Sequence, residues 1–338
     1  MQELTIRLAS CQYPIYLERG VLDKIGSHVN LDREVLVITD DGVPAAYAQR
    51  VLAQCPQGQL FTVGQGEGAK SFPVWESILE KMLEMGFSRK SLVMALGGGV
   101  MGDLSGFAAA CYMRGIDYVG IPTTTLSQID SSIGGKTAVN MAGAKNVVGA
   151  FHHPIAVFVD PDTLATLPRR HFINGLAEAV KAGLIADPAL FALFEEEDWE
   201  THLEEILLRS LRVKQRVVQE DERESGLRKI LNFGHTLGHG IESACHLGGL
   251  YHGECVALGM LPMLEDEALR QRVLAVYRRL GLPTQAAYDP NAAYAAMVHD
   301  KKAASGMVTV VKVARLGEAR LEQVPMASLR ALLEGGRV

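Results

Sequence analysis

The sequence predicts an α/β first half with a mostly parallel sheet, followed by a mainly α-helical second half. Two observations carry this. Up to about residue 160, short β-branched apolar runs alternate with helical patterns, as in successive βα units. Beyond Pro154, apolar residues recur at helical spacing over long stretches, with one strand-like run among them. The boundary is placed between residues 153 and 154, giving units 1–153 and 154–338.

The elements follow in order. Glu34–Asp40 is a β-branched run ending in an acid and Gly42, so it reads as a buried strand and turn. Ser71–Gly86 carries Val74, Ile78, Met82 and Leu83 at helical spacing and stops at glycine. Ser91–Leu96 is a second strand, running into a glycine cluster, and Leu104–Met113 a helix after it. Tyr118–Pro122 and Ala156–Asp160 are further strands. In the second half, helices are expected over Leu164–Ala186, Leu190–Glu220, Leu227–Cys245 and Gly253–Leu280, with a late strand at Met307–Val313. Asp187-Pro188, Gly248-Gly249 and Gly281-Leu282-Pro283 are the turn signals between them.

Composition narrows the class. The 338 residues are 48% hydrophobic and 21% charged, which is ordinary for globular domains and excludes collagen, coiled coil and disorder. No apolar stretch is long enough for a transmembrane helix, and the first ten residues have no apolar signal core, so a cytoplasmic protein is expected. A net charge of −6 disfavours nucleic acid as a partner. The five cysteines are scattered with no C-x-x-C pair, which suits reduced thiols. The 34 glycines cluster, and the clusters mark the chemistry.

Gly97, Gly99 and Gly102 fit G-x-G-x-x-G between a strand and a helix, where backbone amides at a helix start can receive a pyrophosphate. The acid expected about 20 residues later in a conventional dinucleotide fold is not in place. A tight turn on the sheet is the plain alternative. Gly64–Lys70 is a second glycine-rich loop, with Glu67 and Lys70, and reads equally as a flexible surface loop. Pro122–Leu126, Asp130–Lys136 and Lys145-Asn146 gather hydroxyls, glycines and two lysines near a strand end, a pattern suited to phosphate or carboxylate.

In the helical half, Glu178 and Lys181 share a helix face, which by itself reads as a surface ion pair. His235 and His239, at i and i+4, with His252 and the nearby Glu254, form a candidate metal cluster. H-E-x-x-H is absent, so a zinc peptidase is excluded. Lys214, Arg228 and Asn232 lie near the histidines in sequence, while the run Glu220, Asp221, Glu222, Arg223, Glu224 reads as a solvated helical face.

Gly97–Phe107, Tyr112–Gly115, Ile121–Leu126, Asp130–Asn140, Gly175–Lys181 and Leu231–His239 together resemble the 3-dehydroquinate synthase family, within the sugar phosphate cyclases, in order and spacing from about residue 35 to 310. The resemblance implies an NAD-binding α/β domain and a mainly helical metal- and substrate-binding domain. It implies conversion of 3-deoxy-D-arabino-heptulosonate 7-phosphate to 3-dehydroquinate and phosphate, the second step of the shikimate pathway. The route would be transient oxidation by NAD, phosphate β-elimination, re-reduction, ring opening and intramolecular aldol closure. Zn²⁺, or Co²⁺ or another divalent metal, would be the second cofactor.

Residue by residue, the resemblance implies Glu178, His235 and His252 as metal ligands, with His239 a substrate and proton-relay residue instead of a ligand. NAD would meet Asp40, Glu67, Lys70, the segment Gly99, Val100, Met101, Gly102, Asp103, then Thr123, Thr124, Lys136, Lys145 and the segment Thr163, Leu164, Ala165, Thr166. The anionic sugar phosphate would meet Asp130, Lys136, Asn146, Lys181, Lys214, Arg228, Asn232 and His239. Lys301 or Lys302 is a further candidate. Arg114 would reach the phosphate bound by a neighbouring subunit, implying a homodimer. Competing expectations are a sister cyclase such as 2-deoxy-scyllo-inosose synthase, a metal-dependent alcohol dehydrogenase, or a non-catalytic NAD-binding protein. Arg228 with Asn232, Lys136 and Asn146 favours the carboxylate-bearing substrate.

Overall fold

The computed structural model describes residues 1–245, 249–300 and 306–334, so Lys301 and Lys302 lie outside the described residues. The chain divides into two compact units, Met1–Pro168 and Arg169–Val338.

The first unit contains β1 (Gln2–Arg7), β2 (Gln12–Leu17), β3 (Glu34–Asp40), α1 (Ala45–Leu52), β4 (Gln57–Val63), α2 (Phe72–Glu84), β5 (Leu92–Gly97), α3 (Gly99–Cys111), β6 (Asp117–Pro122), β7 (Lys136–Met141), β8 (Ala144–Phe151) and β9 (Ala156–Val159). Seven strands form one sheet in the order β1-β2-β9-β6-β5-β3-β4. Only β1 and β2 pair antiparallel; the remaining pairs are parallel. Successive side chains of β3 enter opposite cores: Val35 and Val37 meet Leu92, Met94 and Phe158, whereas Leu36 and Ile38 meet Met101, Leu104 and Tyr118. A parallel sheet covered on both faces explains why its strands read as unbroken apolar runs. After β3 the chain adds β4 on one side and then β5 on the other, so the strand order reverses between β3 and β5. Open α/β sheets bind ligands in the crevice at the carboxyl ends of such a switch point.

The second unit contains α4 (Arg169–Ala186), α5 (Pro188–Leu193), α6 (Leu203–Glu220), α7 (His235–Ala244), α8 (His252–Met260), α9 (Glu267–Leu280), α10 (Pro290–Asp300), a hairpin of β10 (Met307–Arg315) and β11 (Glu318–Pro325), and α11 (Leu329–Glu334). α4 is buried from Phe172 to Ile185 without interruption, which makes it the central helix of this unit. On α6 the buried residues Ile206, Leu207, Ser210, Leu211, Val213, Lys214, Val217 and Val218 form one stripe, and Lys214 lies within it.

The observed elements differ from the expected ones in several places. The helix expected from Leu164 starts at Arg169, because Leu164 lies in the 3₁₀ turn Pro161–Thr166 and Pro168 follows it, and α1, α10 and α11 have no expected counterpart. α3 begins at Gly99, so the glycine cluster is the first helical turn and not a loop before it. The long helix expected over Leu190–Glu220 is two helices, α5 and α6, with a 3₁₀ turn at Trp199–His202 between them. Gly234, at φ +79°, separates a 3₁₀ turn at Leu227–Asn232 from α7, and a second 3₁₀ turn at Leu261–Met263, carrying Pro262, ends α8 before α9. β1, β2, β4, β7, β8 and β11 have no counterpart among the expected strands; β4 and β8 are largely exposed and lack an apolar run.

The α7–α8 contact is unusually close. A Cβ on Gly259 would lie 2.1 Å from the Gly234 carbonyl oxygen and 2.8 Å from the Gly238 nitrogen. Gly259→Ala gains up to ~1 kcal/mol in helix propensity but overpacks immobile backbone at a cost of ~3 kcal/mol. A net loss of ~2 kcal/mol, or roughly 4–8 °C in Tm, is expected by calorimetry. Gly102→Ala, with nothing within 4 Å of the added carbon, is the control and is expected to hold or raise Tm.

Candidate functional site

The candidate site residues fall in both units.

In the sheet unit they collect at the carboxyl ends of the parallel strands. Asp40 ends β3 and is buried; its carboxylate accepts from the Gly42 amide at 2.9 Å. Burial raises its pKa, against the pull of that amide. Gly97 ends β5 at φ +152°, and a Cβ there would strike Met101 Cγ at 2.6 Å and come within 3.6 Å of Asp40 Oδ2. Gly99, Val100, Met101, Gly102 and Asp103 are the first turn of α3, which brings backbone amides and the helix dipole to the crevice. The Met101 side chain is fully buried in the core, so this residue offers the crevice only backbone. A pocket at this edge is lined by Gly97, Gly98, Gly102, Ser131, Ser132 and Lys136.

A polar network ties the surrounding loops together. Lys70 is 3% exposed; its Nζ donates to Asp103 Oδ2 at 2.6 Å and to Asn146 Oδ1. Burial raises the pKa of Asp103, against the opposing charges of Lys70 and Lys136. Asn140, not among the expected site residues, donates to Glu67 Oε1 at 2.8 Å and accepts from the Asn146 amide at 2.8 Å. Thr123 donates its amide to the Gly97 carbonyl at 2.9 Å, and the Thr124 and Ser127 hydroxyls lie 2.9 Å apart. Asp130 sits on the single π-helical turn Ser127–Ser131, a geometry concentrated at functional sites. Lys136 and Lys145 are exposed on the β7–β8 hairpin. Thr163 and Leu164 are buried in the turn after β9, while Ala165 and Thr166 are exposed, with the Thr166 hydroxyl 2.9 Å from that of Tyr47. Arg114 is exposed on the turn after α3, where Met113, Arg114 and Gly115 all have positive φ.

In the helical unit, Glu178 and Lys181 are 2% and 3% exposed, so the surface-pair reading is wrong: both lie on the buried central helix. Lys181 is in ion-pair contact with Glu178 Oε2, yet neither carboxylate oxygen has a hydrogen bond among the described residues. Two imidazoles converge on the same oxygen. His235 Nε2 lies 3.6 Å and His252 Nε2 3.8 Å from Glu178 Oε1. Their other nitrogens are engaged: His235 Nδ1 lies 3.2 Å from the Phe233 carbonyl, and His252 Nδ1 lies 3.1 Å from Glu242 Oε2. Both acceptors place the ring proton on Nδ1 and leave Nε2 a lone pair. Burial, then the charge of Lys181, hold the His235 pKa well below the usual value, so this ring is neutral. Burial also pulls His252 down, but the Glu242 hydrogen bond and the nearby carboxylates outweigh it and raise its pKa.

A buried carboxylate with no hydrogen bond among the described residues, facing Nε2 of two imidazoles, is a donor set that fits a divalent cation once those nitrogens give up any proton they carry. His239 belongs to the same cluster, with a ring nitrogen within 4.8 Å of those of His235 and His252. Glu254 does not belong to it. Its carboxylate is held by Arg170 at 2.7 Å and by the Tyr251 amide at 2.8 Å, closing a capping box at the start of α8.

Among the described residues of this unit three cations are buried: Lys181, Lys214 on α6 and Arg228 in the 227–232 turn, at 3%, 8% and 2% exposure. α4, α6 and that turn are mutual neighbours. Within the charged run before the turn, Glu220 and Arg223 are exposed as expected, but Asp221 and Glu224 are structural. Asp221 accepts from the backbone amides of Ser225, Gly226 and Arg228, the Glu222 carbonyl accepts from Arg228 Nη1, and Glu224 accepts from Asn232 Nδ2 at 2.6 Å. Glu224 also sits at φ +61°. The signal for Asp221 and Glu224 was their spacing from Arg228 and Asn232, which the charge run concealed.

Comparison with known proteins identifies the family. Residues 60–174 match the 3-dehydroquinate synthase N-terminal description, and residues 175–303 match the 3-dehydroquinate synthase C-terminal one. The chain belongs to the 3-dehydroquinate synthase family. It is 39% identical to the 3-dehydroquinate synthase of Enterococcus faecalis over 99% of both chains, and 38% identical to that of Streptococcus suis over 98% of this chain and 99% of the other. Among solved structures, a 2-deoxy-scyllo-inosose synthase complexed with carbaglucose-6-phosphate, NAD⁺ and Co²⁺ superimposes with a TM-score of 0.89 at 25% identity, over 99% of this chain and 100% of that one. A 2-epi-5-epi-valiolone synthase from Streptomyces hygroscopicus subsp. jinggangensis with NAD⁺ and Zn²⁺ bound gives 0.86 at 29%, over 97% and 98%. A probable glycerol dehydrogenase from Sinorhizobium meliloti, at 17% identity and a TM-score of 0.64, shares the fold.

The Asp221 clasp yields a pH prediction. Burial opposes ionisation there, but three backbone amides outweigh it and hold the pKa at about 2. The unfolded value is about 3.9. A depressed folded pKa means the stabilisation is fully present above pH ~4 and is lost as pH falls through ~2. Asp221→Asn is therefore expected to lower urea stability by about 1 kcal/mol at pH 7, after screening, with the gap to wild type closing towards pH 2.5.

Proposed function

We propose that the chain is a 3-dehydroquinate synthase, a lyase that converts 3-deoxy-D-arabino-heptulosonate 7-phosphate to 3-dehydroquinate and inorganic phosphate in the shikimate pathway to chorismate and the aromatic amino acids. The observation that carries this reading is the buried Glu178–His235–His252 convergence beside three buried cations, in a chain 39% identical to a curated synthase along 99% of its length. We assign NAD binding to the α/β unit, Met1–Pro168, which extends past the boundary expected at 153/154 because β9 and the turn after it belong to the sheet unit, and metal and substrate binding chiefly to the mainly helical unit that follows. When bound, NAD supplies reversible oxidation at one substrate carbon, and Zn²⁺ or another divalent metal lowers the pKa of the hydroxyl to be oxidised.

The chain's own residues supply the remainder. Glu178, His235 and His252 hold the metal. Lys181, Lys214 and Arg228, with Lys136, Asn146 and Asn232, hold the substrate's carboxylate and phosphate; desolvated cations attract an anion far more strongly than surface ones, so the −6 net charge is no obstacle. His239, exposed at the rim of the cluster, relays protons, and Asp130 orients a substrate hydroxyl. Asp40, Glu67, Lys70, Gly99–Asp103, Thr123, Thr124, Lys136, Lys145 and Thr163–Thr166 receive NAD. A ketone at the oxidised carbon would acidify the C–H on the adjacent carbon; loss of that proton, which the phosphate itself can accept, forms a C=C bond and expels phosphate from the next carbon by β-elimination. Enclosure then holds the ring-opened intermediate for aldol closure, away from water. Arg114, on its exposed positive-φ turn, reaches a neighbouring subunit in a cytoplasmic homodimer.

Phosphate release from 3-deoxy-D-arabino-heptulosonate 7-phosphate tests the reading, with glucose 6-phosphate and sedoheptulose 7-phosphate in parallel. Stoichiometric phosphate and dehydroquinate without NADH accumulation is the expected result. Glu178→Gln is expected to lower kcat by about 10³-fold or more. Turnover of only another sugar phosphate would reassign the chain to a sister cyclase, and net NADH production would reassign it to a dehydrogenase.

A further inference from the structure

His235 and His252 present Nε2 to the same carboxylate oxygen, but different groups set their orientation. The Phe233 carbonyl, part of the backbone, fixes His235 at 3.2 Å. His252 depends on a side chain: Glu242 Oε2, at 3.1 Å from Nδ1. Glu242 is three residues beyond His239 and seven beyond His235, so α7 carries all three on one face. α8, which packs on α7, brings His252 to that face. Glu242 is 24% and His252 32% exposed, so the contact is partly shielded from water. Apart from Glu178 itself, it is the only carboxylate recorded against His252 among the described residues.

We propose that Glu242 is the positioning residue for the metal site: it fixes the His252 tautomer, aims Nε2 at Glu178, and raises the basicity of the imidazole. The proposal rests on the reading of Glu178, His235 and His252 as metal ligands. A carboxylate accepting the Nδ1 proton of a ligating imidazole supports metal affinity by about 10–100-fold. The arrangement is also one-sided. His235 keeps its backbone acceptor whatever side chains change, whereas the His252 ring loses its orientation with one substitution.

The test is metal affinity, measured on the full chain stripped of metal and refilled with Zn²⁺ or Co²⁺ in competition with a chromophoric chelator. Glu242→Ala is expected to weaken binding about 10–100-fold and to change the Co²⁺ visible spectrum. Glu242→Gln, which keeps an oxygen acceptor but no charge, is expected to weaken it by about three- to tenfold. The Tm of the metal-free protein and the affinity for NAD⁺ should match wild type in both, which a merely structural role would not predict. His252→Ala is the benchmark. If it loses the metal while both Glu242 variants bind within twofold of wild type, the role of Glu242 is overturned and the ligand set stands. If His252→Ala binds as wild type, the ligand set falls and the proposal with it. Should Glu242→Ala fail to fold, Glu242→Gln decides alone, and wild-type affinity there overturns the proposal.

Discussion

A carboxylate without a hydrogen bond among the described residues, on a helix buried along fourteen consecutive residues, is the constraint around which the helical unit is built. Left alone in the interior, an ionised Glu178 would cost several kcal/mol of desolvation. The neighbours that offset this are Lys181, one turn along α4, and the two imidazoles on α7 and α8. Their approach in turn requires α7 and α8 to lie nearly backbone to backbone, which is why Gly234, Gly238 and Gly259 meet there. The metal-ligand geometry and the helix packing are therefore one requirement and not two. Arg170, Glu254 and Asn174 extend it outward. Asn174 Oδ1 accepts from the Gly253 amide at 2.7 Å, and the Arg170–Glu254 pair clamps the residues just before His252.

The sheet unit solves a different problem. Its crevice is open at the strand ends, so loops with little apolar content must be held by polar contacts. Lys70 does this from a nearly buried position, reaching α3 through Asp103 and the β7–β8 hairpin through Asn146. Asn140 completes the link to Glu67 from the hairpin side. The glycines that attract notice in the sequence mark where backbone approaches closely, whereas the amide and carboxylate side chains between them set how the loops are held.

Buried strands were legible in the sequence because a doubly covered parallel sheet leaves an unbroken apolar run: the expected bounds of Glu34–Asp40 coincide with β3. β8 was not, since its side chains are mostly exposed and no period distinguishes it from a loop. Helices were legible as stretches but not at their breaks, because Gly234 and Pro262 interrupt patterns that stay apolar on both sides. The bare sequence also misplaced Glu178 and Lys181. An i, i+3 ion pair on an all-buried helix and one on a solvated face have the same letters, and only the resemblance of Gly175–Lys181 to a known motif separated them. Glu254 erred in the opposite direction: it is near the histidines in sequence, but helix capping claims its carboxylate. Asp221 and Glu224 were hidden by composition, since a run of charges looks like surface even when individual carboxylates clasp the turn that carries Arg228 and Asn232.

The order of strands in the first sheet has a consequence for how the chain is made. β2 is hydrogen-bonded to β9, and the Asp160 carboxylate that receives the Gly20 amide lies 140 residues away along the chain. The β1–β2 hairpin therefore has no parallel partner until about 140 further residues have been synthesised. The helical unit, by contrast, includes strong pairs of sequence neighbours, α4 with α5 and α7 with α8, besides longer-range ones such as α7 with α10. Non-local pairing is slow to form and leaves strand edges exposed meanwhile. During translation, β1 and β2 precede the other strands of their sheet yet are among the last to be secured, and a nascent chain stopped before β9 would display β2 as an open apolar edge for other chains to join.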